Sequence, residues 1–101
     1  MLKSRKPRLD RDGAEAMALS ALGFLAETPE RLGRFLALSG MGPEDLRREA
    51  GSAHVQAAVL EHLLADESLL LTFAGMKGID PATVAPAHAL LTGGSATRDW
   101  P

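Results

Sequence analysis

Residues 52–81 read SAHVQAAVLEHLLADESLLLTFAGMKGIDP, and this stretch decides the fold. Ser52 is a helix-capping residue type, whose hydroxyl accepts from the free amides of a first turn. After it, Val55, Val59 and Leu63 form one row and Leu60 and Leu64 another. That spacing predicts a helix over 53–65 with one broad apolar face. Asp66 offers a second cap, and Leu69-Leu70-Leu71-Thr72-Phe73-Ala74 follows. This segment is apolar nearly all round, so burial on most sides is expected. The break at Asp66 either separates two helices or kinks one. Gly78 suits the end of a helix, and Asp80-Pro81 caps and opens the next.

The same punctuation extends outward. Upstream, a helix is expected over 13–27 with Asp12 as its cap. Its stripe is Met17, Ala18, Ala21, Leu22 and Leu25, widened by Leu19 and Phe24. Thr28-Pro29 stops one helix and starts another, because proline at the first helical position loses no hydrogen bond. Leu32, Phe35 and Leu36 follow at helical spacing with Leu38 beside them, and Gly40 suits a left-handed end. Gly42-Pro43 opens a short charged helix anchored by Leu46 and ended by Gly51. Downstream, the last helix runs from Pro81 toward Leu91, and Pro86 in its interior should bend or shorten it. Met41-Gly42-Pro43-Glu44-Asp45-Leu46 and Ile79-Asp80-Pro81-Ala82-Thr83-Val84 share one pattern, explained by helix-start chemistry rather than duplication. Period-two alternation is absent, and β-branched residues are few. The expected fold is all-α, a compact orthogonal bundle of five or six short helices. The expected organisation is a basic tail over 1–11, one helical domain over 12–93 and a C-terminal tail over 94–101 that carries Trp100.

Composition narrows the chemistry. The 101 residues are 46% hydrophobic and 24% charged, which is globular composition. There is no cysteine, which excludes disulfides, thiolate metal sites and cysteine nucleophiles. With no signal-peptide pattern and no long apolar run, a cytoplasmic protein without a membrane span is expected. Net charge is -2 but uneven. Lys3, Arg5, Lys6, Arg8 and Arg11 stand against Asp10 alone in the first eleven residues, while the remainder holds six basic and twelve acidic residues.

Three kinds of site come into question for these residues. Ala74, Gly78, Ile79 and Val84 fall where a helix-turn-helix needs a small residue, a turn glycine and two core anchors; Leu36, Gly40, Met41 and Leu46 fit the template less well. The helix after Gly78 has no lysine or arginine, and the one after Gly40 sets Arg47 and Arg48 among Glu44, Asp45 and Glu49. DNA affinity rests largely on phosphate attraction, so these surfaces are poor. A nucleic-acid role would need Lys3, Arg5, Lys6, Arg8 and Arg11 together with Arg47 and Arg48. His62 and Asp66 are four apart, a spacing able to share a metal, with His54 near the same face. A surface histidine and a helix cap explain them more plainly, and no metal or cofactor is expected. For catalysis there is no Walker loop, no GxGxxG and no nucleophile elbow around Ser39, Ser52 or Ser68. Adjacent carboxylates such as Glu44/Asp45 and Asp66/Glu67 point apart on a helix. The leading expectation is a non-enzymatic interaction module or homodimer using Leu69, Leu70, Phe73 and Met76, the alternative being nucleic-acid association through the basic arm.

A resemblance accompanies this reading. Ala21-Leu22-Gly23-Phe24-Leu25-Ala26-Glu27, then Pro29 to Leu36, then Leu46-Arg47, then Leu63 to Leu70 resemble a small family of alphaproteobacterial helical proteins known as a domain of unknown function. The resemblance covers residues 14–93. It implies a bacterial cytoplasmic protein with an all-helical fold, and no site residues.

Overall fold

Residues 9–93 are described by the computed structural model. Six helices follow in order: α1 Arg11–Ala26, α2 Pro29–Ser39, α3 Pro43–Glu49, α4 Ala53–Leu64, α5 Glu67–Lys77 and α6 Val84–Leu91, with a 3-10 turn at Pro81–Thr83 before the last. No strand occurs among the described residues. This is the expected all-α bundle.

Each boundary has a local cause. Thr28 Oγ1 accepts from the Arg31 amide at 3.3 Å, Ser52 Oγ from Val55 at 3.2 Å and Asp66 Oδ1 from Leu69 at 3.1 Å. Each bond satisfies one of the first-turn amides that a helix cannot pair internally. Asp66 has extended backbone angles (φ -138°, ψ 97°), so α4 and α5 are separate helices and not one kinked rod. One cap differs from expectation. Asp10, not Asp12, opens α1, its Oδ1 accepting from Gly13 at 2.8 Å. Asp12 instead lies in the first turn, where its charge complements the helix N-terminus. Gly40 and Gly78 end α2 and α5 with φ of 78° and 67°, a region costly for other residues. Pro86 shortens the last helix, as expected. It is the third residue of α6, where a missing amide costs little, and the turn before it is 3-10.

The core is a three-helix seam. α4 packs most extensively on α6 and α1, and α1 packs on α6. From α1 come Ala14, Ala18, Ala21 and Leu25; from α4 Val55, Val59, Leu60 and Leu63; from α6 Val84, Ala87 and Leu91, all buried. Leu19 was expected to widen the α1 stripe but is 50% exposed. It sits about 140° round the helix from the alanine row, beyond the reach of either neighbour. Phe24, on the other flank, is fully buried. Its ring meets Phe73 of α5 with centroids 5.4 Å apart, and the Arg31 guanidinium of α2 lies 4.3 Å above it. The ends of α1 are tied to distant segments. Arg11 donates to the Leu90 carbonyl at 3.0 Å, and Lys77 pairs with Glu27 at 3.5 Å.

Enlarging an alanine at this seam forces helices apart. Ala18→Leu is expected to lower unfolding free energy by about 1–3 kcal/mol through overpacking. Phe73→Ala should cost about 3–5 kcal/mol by cavity formation. Met76→Ala, on the open side of the same helix, should stay within about 0.5 kcal/mol. Urea unfolding followed by circular dichroism measures all three.

Candidate functional site

α5 was expected to supply an interaction surface, and the structure divides its residues. Phe73 and Ala74 are core, Leu69 and Leu70 are half-buried, and Leu71 and Met76 are 50% and 57% exposed. The expectation of burial on most sides is therefore corrected. α5 packs chiefly on α4 and the 3-10 turn and reaches α1 through the Phe73–Phe24 and Lys77–Glu27 contacts, which leaves its Leu71 and Met76 side open. Of the four residues named for an interface, Met76 is on the surface, Leu69 and Leu70 are partly so, and Phe73 is committed to the Phe24 ring. That outward face is uncharged: Ser68, Leu71, Thr72, Gly75 and Met76 are all exposed. The Thr72 hydroxyl donates back to the Ser68 carbonyl at 2.9 Å.

The residues considered for nucleic acid fall into two groups. Lys3, Arg5, Lys6 and Arg8 lie outside the described residues, as does Trp100. Arg11 is engaged with Leu90 and pairs with Glu15 at 3.4 Å. Arg47 pairs with Glu44 at 3.0 Å, and Arg48 with Asp45 at 2.9 Å and Glu49 at 3.6 Å. The Asp45 carboxyl is held below the usual carboxylate range, first by the Gly42 amide and then by Arg48. The positive charge of α3 is thus matched within its own helix. At the helix-turn-helix positions, Ala74 and Val84 are buried, Gly78 turns the chain, and the Ile79 amide donates to the Ala74 carbonyl at 2.9 Å, while α5 and α6 meet mainly through the 3-10 turn between them. The outer side of α6, with Ala85, Pro86 and Ala89, offers no cation.

His62 and Asp66 are neighbours through charge. Asp66 is occupied in capping α5, and among the described residues no three of His, Asp and Glu gather in metal-binding geometry. His62 has another setting. Its ring meets Phe35 edge-on at 5.3 Å, and its Nε2 is buried with no hydrogen-bond partner. Burial pushes the imidazole pKa down from 6.5; nearby Asp66 raises it and Arg34 lowers it further. This ring lies in a groove of about 360 Å³ between α2 and α4, whose walls include Leu38, Met41, His54 and Ala58. An adjoining depression continues past Leu38 and His62 to Arg34, Asp66 and Glu67.

A second groove of about 360 Å³ lies between α1, α2 and α3. Leu22, Ala26, Leu32, Leu36 and Leu46 line it, and Arg47 is its one charged residue. It exists because α3 packs extensively on no other helix and buries only Leu46. Neither groove was anticipated from sequence. A signal for the first was available: Leu38 lies well off the Leu32/Phe35/Leu36 stripe of α2.

A family model described as a protein of unknown function, DUF3572, matches residues 11–94. The chain belongs to that family. The DUF3572 span begins at the first residue of α1 and takes in α6, so both grooves and the α5 face lie inside the family's domain. No curated protein and no solved structure matches this DUF3572 chain. No helix among its described residues is long and apolar enough to cross a membrane.

His62 yields a pH signature. The unfolded chain takes up the proton at higher pH than the folded one, because burial disfavours the imidazolium. Stability is therefore fullest above about pH 6.5 and falls as pH drops below that through the depressed folded value. Urea unfolding between pH 7.5 and 5.5 should show this loss, and His62→Gln should flatten it; an NMR titration of the ring should give a midpoint below the free-histidine value.

Proposed function

We propose that this DUF3572 protein is a non-enzymatic interaction module, bacterial and cytoplasmic, that receives an apolar segment of another protein between α1, α2 and α3. The observation that carries the reading is that groove. Its lining is leucine, alanine and Pro43 with a single cation, Arg47, and one wall is a helix anchored by Leu46 alone. Apolar grooves flanked by helices accept the hydrophobic face of an amphipathic helix, whose anchors recur every three or four residues. A wall with one buried anchor can shift to admit such a guest at little cost, since local opening is easiest where buried contacts are few. The apolar residues left exposed elsewhere, Leu19, Leu38, Leu71 and Met76, agree with a protein that meets partners, though singly each is ordinary. No specific observation favours nucleic acid, because the arginines of α3 are paired locally.

Ala26 lines the groove and is exposed, so a charge there should leave the core intact. In co-purification from the native host, the tagged chain should retain a partner that Ala26→Glu loses while its melting temperature is unchanged. Amide exchange in α3 should slow when that partner is bound. A native chain that retains nothing, or retains the same protein as Ala26→Glu, would sink the reading.

A further inference from the structure

We propose that a second copy of this chain docks on the groove between α2 and α4, antiparallel and two-fold related, with Leu38 of each copy seated in the groove of the other. This goes beyond the docking of another protein between α1, α2 and α3, and uses a different face. Leu38 is 67% exposed, more than any other large apolar side chain described. It stands on the wall of a groove whose opposite wall carries the small residues Ala58 and Ala65. Projection and depression therefore lie side by side on one face. A two-fold interface demands that combination, because one patch must supply both halves of the fit.

Charge then selects the orientation. α2 and α4 run antiparallel along the groove, since Phe35 meets His62 at one end while Met41 and His54 share the other. The His62 end continues to Arg34, Asp66 and Glu67. A parallel pairing of two copies would set Asp66 and Glu67 against their own counterparts. The antiparallel pairing sets that net-negative end against His54 instead. Glu61, the remaining acid on the groove, lies 3.8 Å from His88 of α6. Burial keeps the His62 ring in its neutral form near neutral pH, so the floor that would receive a leucine is uncharged.

Size sets the strength. From His54 to Asp66 the groove runs about 18 Å, and two helices are about 20 Å wide. That patch is smaller than the roughly 800 Å² per partner of a standard interface. A weak, concentration-dependent dimer follows, with a dissociation constant of about 1 μM or higher.

Sedimentation equilibrium of the full chain from about 10 μM to about 1 mM tests this. The native chain should pass from monomer to dimer, and Leu38→Glu should weaken the dimer at least about tenfold with an unchanged circular dichroism spectrum. The chain has no cysteine of its own, so orientation can be read by cross-linking. Mixed His54→Cys and Glu67→Cys chains should form the mixed disulfide in preference to either homodisulfide. A strict monomer at the highest concentration, a dimer indifferent to Leu38→Glu, or preferred Glu67→Cys homodisulfides would each overturn the proposal. None of these outcomes bears on the other groove, whose test is Ala26→Glu.

Discussion

The alanine row of α1 is the constraint on which the rest depends. Ala14, Ala18 and Ala21 are essentially inaccessible, and they let α4 and α6 approach α1 over most of its length. α4 and α6 then pack on one another, and Val55, Val59, Leu63, Val84 and Ala87 belong to the same buried cluster. Small residues at a helix crossing exchange side-chain volume for proximity, and tight packing adds dispersion contacts that a looser crossing forfeits. α6 is the last helix among the described residues and α1 the first, so the two ends of the described chain meet. The Arg11 bond to the Leu90 carbonyl marks that closure.

Around this seam the remaining helices are satellites held by few anchors. Phe24, Phe35 and Phe73 are the three phenylalanines of the chain, and each is buried where a satellite meets the seam. Phe73 fixes α5 and Phe35 fixes α2, while Leu46 alone fixes α3. A single large side chain can pin a short helix without covering its other faces. The two grooves and the open face of α5 are consequences of that economy. The DUF3572 domain thus combines a rigid three-helix centre with a periphery that presents apolar surface.

The grooves and the open face of α5 all sit at that periphery. The polar side chains that sequence reading singled out have local employment: Asp66 caps α5, Asp45 holds the Gly42 amide, and Arg47 and Arg48 answer carboxylates on their own helix. His62 is the exception, a partly desolvated ring with an unpartnered nitrogen on a groove floor. Its ring stands 5.3 Å from the Phe35 ring at a steep angle.

The sequence by itself determined the helices and nearly all their ends. Caps act over three or four residues, so Thr28, Ser52, Asp66 and Asp80 could be read directly, as could the left-handed glycines at 40 and 78. The misplaced cap of α1, Asp12 for Asp10, reflects two acidic residues within one turn, either of which suits a helix start, and Asp80 opens the 3-10 turn while α6 itself begins behind Thr83. Only the tertiary structure decided which apolar faces are covered. Leu19 and Leu25 are the same residue type on one helix, and Leu71 and Phe73 are both large and apolar on another, yet one of each pair is exposed and the other buried. Periodicity reports that a helix has an apolar side; how much of that side is covered depends on how many neighbours the whole chain can place around it. For α5 there were too few neighbours, and for α1 there were just enough on one side.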